Sequence, residues 1–166
     1  MERIQKNVEV LATVVAGLRA SGKRIVLAVG VFDLLHAGHI RYLIDAAHRG
    51  DYLIVGIQDD AAVRRTLGAG RPLFPAAERA EVLAALSCVH YVTFFGETDA
   101  SALVRKLKPD VVVRGRDTNE TTIPERAAAE EVKTQLAIVG DGKIYSSKEV
   151  LETFRKRSAA KAARET

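Results

Sequence analysis

The stretch GVFDLLHAGHI, residues 30–40, follows an apolar run and precedes a helix-like segment. It places His36 and His39 three residues apart, with Gly38 between them. Residues at this spacing share one face of a helix, and the first amides of a helix carry N–H groups that favour anions. Gly30 and Gly38 leave room where the backbone turns and where a phosphate approaches closely. The stretch therefore predicts a phosphate-binding site for a nucleotide.

Strand-like and helix-like segments alternate around this stretch. Continuous apolar runs, typical of a parallel sheet covered on both faces, predict strands at 24–29, 52–57, 91–95, 110–114 and 136–139. An apolar stripe from Ile4 to Leu18 predicts a first helix, and later helices are predicted at 38–48, 75–86, 100–107, 124–134 and 147–157. The order indicates an α/β fold: a Rossmann-like, doubly wound, five-stranded parallel sheet with helices on both faces. Its ligand should lie beyond the carboxyl ends of the strands.

Composition favours one domain, which we place at residues 1–154, followed by a basic tail at 155–166. The 166 residues are 48% hydrophobic and 28% charged, which suits one domain with a real core. The tail holds five basic residues and one acidic residue, which leaves 20 of each sign before it. The net charge of +4 therefore lies in the tail, and no nucleic-acid partner is expected.

The same composition argues against membranes and extracellular chemistry. No run approaches the roughly 20 apolar residues that a membrane span requires, and residues 1–20 do not form a signal peptide. The single cysteine, Cys88, forms no intrachain disulfide, which fits a cytoplasmic protein. A histidine pair also occurs in zinc sites, but His48, His90 and Cys88 lack metal-ligand spacing, so no protein metal site is expected.

The motif Gly-x-Phe-Asp-x-x-His-x-Gly-His resembles the signature of the cytidylyltransferase-like nucleotidyltransferases. Segments 21–43, 60–86 and 95–117 are similar to the adenylyltransferase domain of the bacterial heptose kinase/adenylyltransferases, including Arg-Pro at 71–72 and PDVVVRGRD from Pro109. The resemblance implies transfer of a nucleoside monophosphate from ATP or CTP to a phosphorylated sugar, with heptose 1-phosphate favoured. It also implies that Mg²⁺ accompanies the triphosphate, and that the protein forms a homodimer, as its relatives often do.

The resemblance gives roles to individual residues. His36 and His39 would stabilise the α-phosphate while the acceptor phosphate attacks in line. The nucleotide would also contact the residues Gly30, Val31, Phe32, Asp33, Gly38, Arg114, Gly115, Asp117, Ser146 and Ser147. After the fourth strand, arginine suits bidentate phosphate binding, and an aspartate suits a ribose hydroxyl or a metal. A solvated loop between strand and helix is the alternative for this segment.

Weaker candidates are basic residues that suit a phosphate or the acceptor: Arg64, Arg65, Arg71, Arg79 and Lys148. For each arginine an exposed helix face, or for Arg79 a tie between helix and sheet, explains the sequence equally well. Ser146 and Glu149 also fit a capping box, which is compatible with a phosphate site. Arg116 replaces a family glycine and would narrow the nucleotide pocket or add a phosphate contact.

Departures from the family leave alternatives open. The heptose enzymes have a lysine where this chain has Leu67, and residues 118–145 match them poorly. One alternative is a CTP enzyme that acts on glycerol 3-phosphate, since it carries the same histidine motif. The other is a nucleotide-binding regulatory protein without turnover, against which the intact His36 and His39 argue.

Overall fold

A computed structural model describes residues 2–116, 118, 122–140 and 152–157. Its strands are β1 (Ile25–Gly30), β2 (Tyr52–Gln58), β3 (Tyr91–Phe95), β4 (Val111–Gly115) and β5 (Gln135–Val139). Its helices are α1 (Val8–Ala20), α2 (Ala37–Ala47), α3 (Asp60–Leu67), α4 (Ala76–Ala84), α5 (Ser101–Leu107) and α6 (Arg126–Glu131).

The five strands form one parallel sheet in the order β3-β2-β1-β4-β5. The chain moves outward from β1 to β3 and then crosses to β4 on the other side of β1. The strand order reverses between β1 and β4, so a crevice opens at their carboxyl ends. In the parallel register Ala28 lies beside Val113, and Gly30 and Gly115 each follow two residues later. The predicted doubly wound fold is confirmed.

Helices cover both faces of the sheet. One hydrophobic cluster joins the sheet to α2 and α4 through Tyr42, Leu43 and Leu83. The other joins it to α1 and α5, and there Leu11 and Val15 are almost fully buried. The apolar stripe of α1 therefore covers the sheet.

Several predicted boundaries were wrong. Ile4 is not helical: it forms a bridge to Val92, so the N-terminal segment lies against the edge strand β3. Helix α3 was not predicted, because Ala62 and Val63 are its only buried residues among charged neighbours. Helix α6 covers 126–131 rather than 124–134.

Other predicted elements shift by one or two residues. Strand β3 matches its prediction, whereas β1 and β4 each start and end one residue later. Residues 152–157 are helical and exposed, which agrees with the second half of the helix predicted at 147–157 and spans the proposed boundary at 154. Within the described ranges no helix is long and apolar enough to cross a bilayer.

Candidate active site

The turn after β1 begins with a close contact between a glycine and an aromatic ring. A Cβ on Gly30 would lie 3.0 Å from Cε2 of Phe32, so a larger residue there would displace the ring. Phe32 is buried and has a φ of 50°, a left-handed conformation that costs free energy for a residue other than glycine. Its ring centroid lies 5.4 Å from that of His39 and 6.2 Å from that of Tyr42. The strained turn therefore helps to position His39.

His36 and His39 are stacked. Their ring centroids are 3.9 Å apart, with 32° between the ring planes. His36 is the N-cap of α2, and its Nδ1 accepts a hydrogen bond from the Gly38 amide at 3.1 Å. A Cβ on Gly38 would lie 3.0 Å from Nδ1 and Cε1 of His36, so the glycine permits the close approach of this ring.

The cap fixes the chemistry of His36. Because Nδ1 accepts a hydrogen bond, it carries a lone pair, and the proton of the neutral ring is on Nε2. Burial lowers the pKa of His36 from its ordinary 6.5, so the neutral form dominates at pH 7. His36 therefore offers an Nε2–H donor to an oxygen of a phosphate without needing a positive charge.

Asp33 is buried and binds the loop that precedes α4. Its carboxylate accepts from the amide of Leu73 at 2.7 and 2.9 Å and from that of Phe74 at 3.0 Å. It also pairs with Nε of Arg71 at 2.8 Å. The structure thus places the aspartate of the motif against residues 71–74, where it holds a loop.

Arg79 connects four parts of the site and is 2% exposed. Its guanidinium donates to the carbonyls of Val31 at 2.6 Å, Gln58 at 2.9 Å and Phe74 at 3.0 Å. It also donates to Asp60 at 2.8 Å. These contacts favour the structural alternative for Arg79, a tie between α4 and the ends of β1 and β2.

Three of the arginines predicted as weaker candidates for a phosphate or the acceptor, Arg64, Arg65 and Arg71, have different surroundings. Arg64 and Arg65 are exposed residues of α3, and Arg65 donates to the carbonyl of Gly96 at 2.5 Å. Arg71 faces Asp33 instead. Leu67, at the position of the family lysine, ends α3 and is 51% exposed.

On the other side of the crevice, β4 ends at Arg114 and Gly115. Both Nε and a terminal nitrogen of Arg114 donate to the carboxylate of Glu125, the former at 3.0 Å. A phosphate contact by this guanidinium would have to share it with that carboxylate. The hydroxyl of Tyr42 donates to the carbonyl of Val113 at 2.9 Å, which fastens α2 to β4.

Arg116, the substituted glycine position, reaches across to β5. Its Nε donates to the carbonyl of Gly140 at 2.5 Å, and the Gly140 amide donates to Asp45 on α2 at 2.8 Å. This places Arg116 between the ends of β4 and β5. The predicted site residues Asp117, Ser146, Ser147 and Lys148 lie outside the described residues.

A cleft of about 180 Å³ lies beside the histidine pair. Phe32, whose ring lies next to His39, also lines this cleft. The exposed side chains of Phe74 and Val82 give the cleft an apolar surface. Its complete lining is Phe32, Asp33, Leu35, Phe74, Glu78, Arg79 and Val82. Among the described residues, no group of three or more histidine, cysteine, aspartate or glutamate side chains is arranged to hold a metal ion.

The family model described as cytidylyltransferase-like matches residues 27–156, from β1 to the described C-terminal helix. The chain belongs to the cytidylyltransferase-like family.

Relatives in this family include bifunctional proteins that are much longer than this chain. The bifunctional protein HldE of Geotalea uraniireducens is 43% identical over 156 residues, which cover 90% of this chain and 31% of that protein. HldE of Alkalilimnicola ehrlichii is 50% identical over 103 residues, 62% of this chain and 22% of that protein. The chain thus spans about a third or less of the length of these curated relatives.

Solved structures agree with the fold. A lipopolysaccharide core biosynthesis protein from Thermoplasma volcanium is 30% identical with a TM-score of 0.63, covering 75% of this chain and all of that one. A pantoate-beta-alanine ligase from Francisella tularensis, complexed with a β,γ-ATP ligand and β-alanine, has a TM-score of 0.62 over 86% of this chain and 68% of that one. At 14% identity the second likeness shows the fold alone.

Sequence reasoning gave no role to three carboxylates that connect parts of the site. Glu125 pairs with Arg114, Asp60 with Arg79, and Asp45 receives the Gly140 amide. Each lies between 11 and 95 residues from its partner. A single sequence gives no signal for such pairs, because an aspartate or glutamate beside a helix also occurs as a solvent-exposed residue.

Proposed function

We propose that the chain transfers a nucleoside monophosphate from ATP, or from CTP, to a phosphorylated sugar, giving a nucleotide sugar and pyrophosphate. Heptose 1-phosphate is the favoured acceptor. The observation that carries the proposal is the stacked His36 and His39 pair beside the crevice between β1 and β4. The similarity to HldE proteins and to a lipopolysaccharide core biosynthesis protein supports a sugar acceptor.

In the proposed reaction an oxygen of the acceptor phosphate attacks the α-phosphorus in line. A new P–O bond forms, the bond to the β-phosphate oxygen breaks, and pyrophosphate leaves with the electron pair. Catalysis of this kind depends on alignment and on stabilising charge at the phosphate oxygens. The imidazoles of His36 and His39 would donate to the α-phosphate, whose negative charge spreads over its oxygens as the reaction proceeds.

Mg²⁺ belongs to this proposal as the counter-ion of the nucleoside triphosphate substrate. Magnesium keeps several water ligands and binds mainly to substrate phosphates and one or two carboxylates. When bound, it would neutralise charge on the departing pyrophosphate. The free Cys88 supports a cytoplasmic location, and the homodimer remains a prediction that light scattering would test.

The test is phosphate release in the presence of Mg²⁺ and inorganic pyrophosphatase. ATP and CTP are each paired with a panel of sugar 1-phosphates and polyol phosphates. Release with ATP and a sugar 1-phosphate is expected. Release confined to CTP and glycerol 3-phosphate would replace the substrates, and nucleotide binding without release for any pair would favour the regulatory alternative. The His39→Ala variant is the control for release by the protein itself.

A further inference from the structure

Glu125 is a fully buried carboxylate at the start of α6. It accepts from the amide of Ala100 at 3.0 Å and from Nε and a terminal nitrogen of Arg114, the Nε contact at 3.0 Å. A buried carboxylate is costly unless it is paired and hydrogen-bonded. Here the pairing joins the end of β4 to the beginnings of α5 and α6.

This contact leaves part of the Arg114 guanidinium available. The group has five N–H donors, and two of them are directed at Glu125. Among the described residues, no other side chain or carbonyl accepts from it, and the side chain is 21% exposed. Arg114 is the penultimate residue of β4, beside the crevice where the strand order reverses. The ion pair thus holds the other three N–H donors of Arg114 next to the crevice.

The carboxylate also changes which ligand these donors suit. Arg114 and Glu125 together carry no net charge, and the carboxylate repels a second anion that approaches the same guanidinium. Phosphate binding gains most from an arginine with uncompensated charge. Neutral acceptors, such as ribose hydroxyls or the ring nitrogens and carbonyl of a base, gain from oriented N–H groups without suffering that repulsion.

We infer that Glu125 is a positioning residue that holds Arg114 to bind the nucleoside part of the substrate, and that Arg114 does not bind its phosphates. The inference rests on the proposed function. It differs from the prediction that the sequence gives for Arg114, a bidentate phosphate contact, because the partner carboxylate is visible only in the structure.

The test separates the two halves of a nucleotide. Adenosine, cytidine and inorganic tripolyphosphate are titrated separately into the full chain, and dissociation constants are measured by NMR. In Arg114→Met the better-bound nucleoside should weaken by about fivefold or more, as expected for losing a hydrogen bond. Tripolyphosphate should change by less than about twofold, since the lost charge was already compensated.

Glu125→Gln tests the positioning role. The glutamine amide keeps the size of the side chain but turns N–H groups toward the guanidinium, so nucleoside affinity should fall about as far as in Arg114→Met. The double variant should bind no more weakly than Arg114→Met alone, because both changes remove the same contact. A general structural defect would weaken nucleoside and tripolyphosphate alike.

Arg105 and Glu131 supply a matched control, because they form an exposed ion pair between α5 and α6 at 2.6 Å. Arg105→Met should leave all three dissociation constants unchanged. Thermal melting checks that each variant folds. If Glu125→Gln does not fold, Arg114→Lys decides: it keeps the charge but loses the fork, so nucleoside affinity should fall and tripolyphosphate affinity should not.

Three results would overturn the inference: a tripolyphosphate loss equal to or larger than the nucleoside loss, an unchanged nucleoside affinity in folded Glu125→Gln, or no nucleoside binding by the unaltered chain. These titrations contain no acceptor. Failure of the proposed reaction is therefore seen separately, as nucleotide binding without acceptor-dependent phosphate release.

Discussion

Replacing Asp33 by asparagine tests whether the motif holds the loop at 71–74. The change keeps the shape of the side chain but removes its charge. In the structure that carboxylate accepts from the amides of Leu73 and Phe74 and pairs with Arg71 at 2.8 Å. All three contacts lie in a site where Asp33 is 4% exposed. The substitution therefore weakens several buried contacts at once.

The expected loss follows from these contacts. Hydrogen bonds to a charged group contribute roughly 1.5–3 kcal/mol and neutral ones roughly 0.5–1.5 kcal/mol. Replacing the charged acceptor of the Leu73 and Phe74 amides by a neutral one therefore costs about 2 kcal/mol. Loss of the ion pair leaves Arg71, whose side chain is 17% exposed, without that partner and adds about 1 kcal/mol. We expect Asp33→Asn to lower the free energy of unfolding by about 3 kcal/mol, which lowers Tm by about 6–12 °C for a domain of this size.

Urea unfolding followed by circular dichroism measures this loss. Arg71→Gln should cost about 3 kcal/mol, because it leaves the buried carboxylate of Asp33 without its ion pair. The exposed pair of Arg105 and Glu131 provides the control, since Glu131→Gln should cost less than about 0.5 kcal/mol. An Asp33→Asn variant within about 0.5 kcal/mol of the unaltered chain would refute the argument that Asp33 anchors the loop.

Three further outcomes are expected. His39→Ala should lower kcat by about 100-fold with little change in unfolding free energy, because its donor would act on charge that grows in the transition state; near-normal turnover would contradict that role. Burial lowers the pKa of His36 in the folded protein below 6.5, so as the pH falls the unfolded state takes up a proton on His36 before the folded state does. The free energy of unfolding should therefore decrease as the pH falls below about 6.5. The decrease in Tm between pH 7 and pH 5 should be smaller in His36→Asn than in the unaltered chain. Deleting residues 155–166 should leave kcat/KM unchanged, and a large loss would show that this segment contributes to the site.

Most strands of the sheet could be predicted from the sequence, because continuous apolar runs are typical of buried parallel strands. The run from Tyr91 to Phe95 predicts β3 without error, and the strands that end at Gly30 and Gly115 shift by one residue. Helix α3 was missed since it buries only Ala62 and Val63, too few for a recognisable stripe. Its start depends on Asp59, whose side chain accepts from the Ala62 amide.

The histidine pair was predicted more fully than the rest of the candidate site. Spacing alone places His36 and His39 on one side of a helix, and the structure stacks their rings. Spacing gives no information about the Gly38 amide bond that fixes the tautomer of His36, or about the positive φ of Phe32. Both depend on the local path of the backbone, which many sequences with a similar pattern would not share.

The arginines show why a basic residue near a predicted crevice is a weak predictor of phosphate binding. Arg71 pairs with Asp33, Arg79 with Asp60 and Arg114 with Glu125. Asp33 and Arg71 belong to two different loops, Asp60 and Arg79 to helices α3 and α4, and Arg114 and Glu125 to β4 and the start of α6. These pairs therefore join separate parts of the chain around the crevice.

This pairing has a chemical consequence for the reaction that we propose. A guanidinium compensated by a carboxylate contributes orientation but little net positive charge. The stabilisation of an α-phosphate would then depend more on hydrogen-bond donors that carry no compensating anion. The Nε2–H of neutral His36 is such a donor, because its Nδ1 is occupied by a backbone amide and its pKa lies below the ordinary value. The stacked imidazoles, rather than the nearby arginines, are therefore the groups whose loss should affect turnover most.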